Sequence, residues 1–367
     1  MNYRQSPNSS KNRWITIGLV GALIIALGFV GWAIAASRQT APPKQAVATE
    51  PTTPPPAPPP PPPKYNCPLD GSEAATKADT QKRPIVVQID NAPAARNQSG
   101  LSQADIVYEY MAEGEITRFS AVFACHDADT VGPVRSARLI DLELVPEYQA
   151  LLSNSGASQG TAAELSAASD YVPNIDDARA PDVYWRVHDR YAPDNLMTST
   201  DGIRQAAAAA GLSTEADVNG GPTFKGDSPP AAGAALKSIS VPYSPYADVS
   251  YQYDPGANAW LRFIGGKPHI DTLNGKQIEA KNVIIQYVQV TQTNIKEDSN
   301  NYGLSFQLTG SGKVLVFRDG QVVSGTWQRT ARDAPTTYYD AQNRPIALNV
   351  GQTWVQVVPA DFQASWS

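Results

Sequence analysis

Apolar and polar residues alternate along this chain in three different ways, and each predicts a different structure. Trp14–Ala36 (WITIGLVGALIIALGFVGWAIAA) is apolar throughout and holds no ionisable residue. As a helix at ~1.5 Å per residue it reaches about 34 Å, enough for a bilayer core of about 30 Å. Arg4, Lys11 and Arg13 precede it, and Arg38 and Lys44 are the near positive charges after it. This predicts a cytoplasmic tail at 1–13, a transmembrane helix at 14–36 and an extracytoplasmic remainder. Trp14 and Trp32 stand near the two ends, where indoles favour the interface. A signal peptide cleaved after Ala33-Ile34-Ala35 is the alternative, although such apolar regions usually run about 7–15 residues. Residues 37–64 turn to Pro, Ala and Thr and end in the run Pro58–Pro63. A segment that buries nothing and is stiffened by proline predicts a polyproline II stalk.

Beyond the stalk the apolar runs shorten to strand length. Pro84–Asp90 (PIVVQID) reads as a buried strand entering a loop, and Ala104–Met111 and Ile116–Cys125 as two further strands. A two-residue turn at Glu113-Gly114 would join them, setting Glu109 opposite Arg118 and Tyr108 opposite Phe119. A helix is expected after Ser136 as N-cap, and a second from Thr161, where Thr161-Ala-Ala-Glu164 fits a capping box. A third is expected over Ile203–Ala210, stopped by Gly211. The Ala-, Gly- and Pro-rich stretch at 219–240 reads as a link. After it the pattern is mostly β. Lys313–Arg318 and Gln321–Trp327 flank Asp319-Gly320, a type I′ hairpin signal, and Ile346–Val350 and Thr353–Val358 flank Gly351-Gln352 as a second hairpin.

Composition narrows the functional classes. The net charge of −6, with no basic stripe interleaved with aromatics, argues against nucleic acid as a partner. Two cysteines, Cys67 and Cys125, in an exported chain read as one disulfide. Cys67 also lacks the apolar segment just before it that a lipid-modified cysteine needs. A metal site around Cys125-His126-Asp127 is the rival use of Cys125; with three widely spaced histidines, no metal ligand set is assigned. Gly156-Ala-Ser158-Gln-Gly160 matches G-x-S-x-G, with His188 or His269 as base and Asp182 or Asp271 behind it. The pattern is short in a chain rich in Gly, Ser and Ala, and an antiparallel hairpin does not suit a parallel hydrolase sheet. His269 and Asp271 read better as a local hydrogen bond, and Trp327, Trp354 and Tyr302 as core aromatics that would stack on sugars only if exposed.

The strongest candidate site is a set of arginines. Arg135 and Arg138 flank the first turn expected after Ser136, the end of a helix that already carries partial positive charge. Two cations there require an anion, either a protein carboxylate (Glu109, Asp90 or Asp127) or a bound ligand. The candidate ligand-binding residues are therefore Asp90, Asn91, Glu109, Arg118, Arg135 and Arg138.

Pro84–Asn91, Arg96, Gln98–Glu109, Thr117-Arg118-Phe119 and Gly132–Arg138 together resemble the YerB-like family, a two-part family of bacterial envelope lipoproteins of unknown function. Lys267–Asp271, Lys281–Ile285, Gly310–Lys313, Gly325–Arg329 and Gly351–Val357 resemble its second part. The chain departs from the family at Asp194, within Pro193–Leu196 where His-Asn is commoner, and in having a membrane helix instead of a lipidated cysteine. The resemblance implies an envelope location and a two-part division but no activity. The expected fold class is α+β: an α/β domain at 65–218, the link at 219–240 and a β-rich domain at 241–367. The expected function is binding of an anionic or polyhydroxylated envelope component, such as a cell-wall glycan. One alternative is a metal-assisted glycopolymer phosphotransferase or hydrolase, since the layout resembles, in architecture only, the LytR-type phosphotransferases. A scaffold for other envelope proteins is the second. No cofactor and no protein partner is specified by the residues.

Overall fold

The computed structural model describes residues 64–218, 221–231 and 233–367. The tail at 1–13, the apolar stretch at 14–36 and nearly all of the stalk lie outside the described residues. Among the described residues, no helix is long and apolar enough to cross a membrane.

The sheet that organises the described chain is built from runs buried on both faces. Its strands from the first segment are β1 (Ile85–Asp90), β2 (Ile106–Met111), β3 (Thr117–Phe123), β4 (Leu151–Asn154) and β5 (Asn174–Asp176). Three strands follow that belong to a second sheet: β6 (Ser238–Ser244), β7 (Ala247–Asp254) and β8 (Ala259–Ile264). Then come β9 (Asn282–Val288), the hairpin β10 (Val290–Lys296) and β11 (Tyr302–Phe306), and β12 (Gly310–Arg318), β13 (Gln321–Arg329), β14 (Thr337–Asp340) and β15 (Thr353–Pro359). The main sheet has ten strands in the order β14-β13-β12-β9-β15-β2-β3-β1-β4-β5. Every residue of β1, β3 and β9 is buried, so these strands read as near-continuous apolar runs.

One face of this sheet (Val87, Ile89, Phe119, Ile285, Trp354) packs on the second sheet through Val241, Tyr251 and Trp260. The other face (Val86, Tyr108, Tyr110, Val316, Val355) packs against Ile140, Leu144 and Leu165. These three belong to or adjoin α1 (Asp141–Glu147) and α2 (Gln159–Ala167). The third helix, α3 (Thr200–Ala209), lies on the first face through Ile203 and Ala207. The α+β class holds.

The division expected at 219–240 is one of sequence: β15, from the end of the chain, lies between β9 and β2 and pairs in parallel with both. The described residues accordingly fall within one compact unit.

Three local expectations are corrected. Gly114 (φ 69°) and Glu115 (φ 58°) both take the left-handed conformation, and Ala112 N–H donates to Ile116 O, closing a three-residue loop instead of a two-residue turn. The register therefore slips by one: Glu109 faces Phe119, Tyr110 faces Arg118 and Tyr108 faces Ser120. A one-residue slip sends each side chain to the other face. Glu109 and Arg118 thus lie on opposite faces and do not pair. Second, the expected hairpin at Gly351-Gln352 does not form, because Thr353–Pro359 is a central strand and Leu348–Asn349 pairs in parallel with Phe224–Lys225. Third, the helix expected after Ser136 starts at Asp141, and α2 is capped by Ser158, whose Oγ accepts the Thr161 N–H at 3.2 Å. The Asp319-Gly320 hairpin forms as expected, with positive φ at both residues. So does the helix ending before Gly211, and Cys67 and Cys125 form a disulfide.

Candidate functional site

Strands β9, β15, β2, β1, β4 and β5 all run in one direction, with only β3 opposed among them. Their carboxyl ends therefore lie along one edge, the position where sheets of this kind place ligands. Asp90, Asn154 and Asp176 end β1, β4 and β5 there. The segment from Gly132 to Ala137 is laced across this edge by backbone bonds: Asp90 N–H to Pro133 O, Arg135 N–H to Gln88 O, Ser155 N–H to Arg135 O and Ala137 N–H to Gly156 O. That lacing presents Arg135 and Arg138 beside Asp90 and Arg118.

The three arginines thus converge, each already matched by carboxylates. Arg135 Nε donates to Asp90 Oδ2 at 2.8 Å, and Arg118 Nε lies 3.9 Å from Asp90 Oδ1. Arg118 is also 3.6 Å from Glu113, and Arg138 Nε donates to Glu113 Oε2 at 2.8 Å. Arg138 further lies 3.8 Å from Glu297, on the β10–β11 connection. The anchoring anions are Asp90, Glu113 and Glu297, not the expected Glu109 or Asp127; Asp127 pairs with Lys82 and Arg204. Arg118 is buried, whereas the Arg135 side chain is 33% exposed. Burial pushes the Asp90 carboxyl up, but the Arg118 charge, the Ala92 N–H and Arg135 outweigh it and hold it below its ordinary value. Asp141, fully buried under Arg138 and Gln88, is pushed up by burial to about 7.

Asp194 completes the exposed side of the cluster. It is half-buried, and burial together with the neighbouring Asp90 charge raises its carboxyl. Its backbone N–H donates to Tyr191 O, and the Tyr191 side chain is 91% exposed. On the same edge, a cavity of about 320 Å³ is lined by Asn154, Ala157, Leu165, Asn174, Asp176 and Arg179. Asn154 Nδ2 donates to Gly156 O and Asn174 Nδ2 to Asp176 Oδ2. The amide oxygens of both are buried and have no hydrogen-bond partner among the described residues. Neither asparagine carries a local sequence signal; only their places, Asn154 closing β4 and Asn174 opening β5, mark them.

Asn91 and Glu109 belong to a different assembly under the opposite face. Glu109 Oε1 accepts from Thr117 Oγ1 at 2.8 Å and from Asn91 Nδ2 at 3.3 Å, and Oε2 lies 2.8 Å from Arg262 Nη2. Glu109 and Arg262 are both wholly buried. Arg262 Nη1 donates to Tyr251 Oη, Arg262 Nε donates to His269 Nδ1, and the guanidinium lies 4.3 Å from the Trp354 ring centroid. This is internal structure, closed to ligand.

His269 sits there, bonded through Nε2 to Gln98 Oε1, and Asp271 accepts from Gly100 N–H and from Ser102. The expected local His269–Asp271 bond is replaced by two ties to the first segment. Ser158 caps α2, and among the described residues its hydroxyl makes no hydrogen bond to His188 or His269, the two candidate bases. Trp327 and Trp354 are core residues, as expected, whereas Tyr302 is 40% exposed and not part of the core.

Burial and the neighbouring charges of Arg262 and Arg96 hold the His269 imidazole well below its ordinary value, neutral in the fold. The unfolded chain takes up a proton near pH 6.5 that the folded chain refuses. Stability from this group is therefore complete above about 6.5 and falls below it by up to about 1.4 kcal/mol per pH unit. Denaturant titrations between about pH 7 and pH 5.5 should show the fall, and His269→Gln should flatten it. An equal slope in the variant would assign the loss to other groups.

A mixed sheet with a charged carboxyl edge, capped by short helices and braced by a second sheet, defines an α+β protein. The chain belongs to the DUF3048 family: residues 69–213 match its N-terminal domain and residues 239–355 its C-terminal domain, both described as of unknown function. It is 33% identical over 299 residues to "Putative lipoprotein YerB" of Bacillus subtilis (strain 168), covering 81% of this chain and 87% of that protein. The crystal structure of the YerB protein from Bacillus subtilis superposes with a TM-score of 0.73 at 29% identity, over 83% of this chain and 100% of that one.

Proposed function

We propose that this chain is an extracytoplasmic envelope protein, held at the membrane by Trp14–Ala36, whose carboxyl sheet edge binds a polyhydroxylated envelope component such as a wall glycan. The lipoprotein description of the Bacillus relative supports the envelope location. The observation that carries the ligand class is the pair of unpartnered amide oxygens, Asn154 Oδ1 and Asn174 Oδ1, on two residues that line one cavity. Buried acceptors without donors cost free energy, and sugar hydroxyls supply donors. Arg135, with a third of its side chain exposed, donates to hydroxyl oxygens, Asp194 accepts from them, and the exposed Tyr191 ring offers a stacking face. The anionic half of the expectation loses its footing, because Arg118 and Arg138 already have carboxylate partners.

Binding of glycan fragments released from purified cell walls to residues 64–367 tests the reading. Asn174→Ala and Asp194→Ala should each weaken binding at least about tenfold, the loss of one good polar contact to a buried partner. Their melting temperatures should stay close to wild type, since Asn174 is half-buried and removing Asp194 relieves a like-charge contact. Unchanged affinity in both variants would remove the edge as the binding site.

A further inference from the structure

We propose that Asp70, Asp105 and His126 form a binding site for a transition-metal dication of the Zn²⁺ or Mn²⁺ class. They lie at the opposite end of the strands from Asp90: Asp105 immediately precedes β2, and His126 follows the end of β3. One ligand atom from each residue falls within 4.8 Å of the other two. His126 Nδ1 is 3.1 Å from Asp105 Oδ1 and 3.8 Å from Asp70 Oδ2. Ligands held about 2.1 Å from a tetrahedral ion sit about 3.4 Å from one another, so these spacings bracket what an ion would impose.

The hydrogen bonds around the three groups leave the ligating atoms uncommitted to any other donor. Asp70 Oδ1 accepts from Ser72 N–H at 3.0 Å and from Ser72 Oγ at 2.7 Å, leaving Oδ2 toward the histidine. Asp105 Oδ2 accepts from Ala124 N–H at 2.7 Å, leaving Oδ1. His126 Nε2 lies 3.4 Å from Ser72 Oγ. Because that hydroxyl gives its proton to Asp70, it accepts from Nε2–H, while Nδ1 holds its own proton toward Asp105 Oδ1 at 3.1 Å, the proton that a bound metal would replace. Each ligand is thus oriented by a second partner, as metal ligands are.

Burial supplies the need for a cation. The Asp105 side chain is fully buried and that of Asp70 is 6% exposed, so two carboxylates face one imidazole away from water. The His126 side chain is 40% exposed, which leaves solvent access for the remaining coordination positions. A mixed imidazole and carboxylate set favours Zn²⁺ or Mn²⁺ over Mg²⁺ or Ca²⁺, which prefer oxygen alone.

The backbone is braced for the purpose. The Cys67–Cys125 disulfide joins two of the three ligand-bearing segments, three residues before Asp70 and one before His126. Gly71 N–H donates to Cys67 O, Cys67 N–H donates to Ser72 O, and the carbonyls of Asp70 and Asp105 accept from Gly351 and Thr353 N–H. With the disulfide formed, Cys125 cannot be a ligand, and Asp127 is taken by Lys82 and Arg204. The sequence neighbours of His126 are therefore not its partners in the site.

Calorimetric titration of chelator-treated protein with Zn²⁺ and with Mn²⁺, and Co²⁺ loading followed by visible absorption, test the proposal. Wild type should bind one equivalent of at least one of these ions with a rise in melting temperature. Co²⁺ should show d–d absorption from a site containing nitrogen. His126→Asn changes a partly exposed side chain and should fold; it should lose at least tenfold in affinity and lose the cobalt spectrum. Asp105→Asn should do the same where it folds. Stoichiometric binding that survives His126→Asn, or no binding by wild type, overturns the site and leaves an internal ion triad.

Discussion

Replacing Arg262 with alanine is expected to destabilise the fold by about 3–5 kcal/mol, a large share of the roughly 5–15 kcal/mol that holds a typical domain together. The cause is the partner left behind. Glu109 is wholly buried, and its Oε2 has Arg262 as its ion-pair partner at 2.8 Å. The same substitution strips the donors from Tyr251 Oη and His269 Nδ1 and removes the cation over the Trp354 ring. Arg262 comes from β8 and Glu109 from β2, so the pair also locks the second sheet onto the first. Arg262→Met combined with Glu109→Gln removes both charges, and the double variant should be less destabilised than the sum of the singles by about 2 kcal/mol or more. Denaturant unfolding of the four proteins measures this directly. Additive losses would mean that the pair contributes packing alone.

Loss of the Cys67–Cys125 disulfide is the second large effect. The bridge spans 58 positions of sequence, and closing a loop of that size in the unfolded chain corresponds to about 4 kcal/mol. With an unfolding entropy near 2 cal/mol/K per residue, that loss lowers the melting temperature of this segment by about 6 °C. The damage should be uneven. The hairpin of Tyr65–Asn66 with Glu73–Ala74 is two residues a side and not paired to the main sheet, so it should loosen first. Hydrogen exchange of the Cys67Ser/Cys125Ser double variant should show early exchange at Gly71 and Ser72 while β1 and β3 stay protected. An unchanged melting temperature with both cysteines replaced would show that packing alone closes this loop.

The strands were legible where burial on both faces leaves an unbroken apolar run, as in Ile85–Asp90, and where two consecutive residues demand positive φ, as at Asp319-Gly320. The hairpin register was not legible, because Glu113-Gly114-Glu115 suits a two-residue and a three-residue loop alike. The attractive Glu109–Arg118 pairing belonged to the wrong one. The apparent hairpin at Gly351 failed for a related reason: two apolar runs around a glycine say nothing about which strands they join, and Thr353–Pro359 finds both neighbours elsewhere. Convergence of Asp90, Arg118, Arg135 and Arg138 was legible because they lie within fifty residues, on segments joined by short turns. Glu297 reaches the same cluster from 159 positions beyond Arg138, and Asn154 and Asn174 enter the site through strand order alone. Strand order in a mixed sheet is set by long-range pairing, which local pattern does not encode.

The most direct test of the binding edge is competition. Residues 64–367 would be titrated with neutral glycan fragments from purified cell walls, in the presence and absence of excess inorganic phosphate and at two ionic strengths. Recognition of hydroxyls by Asn154, Asn174, Asp194 and Arg135 predicts saturable binding of the neutral fragments, little changed by phosphate or salt. Displacement by phosphate, or failure of the neutral fragments to bind, would contradict it.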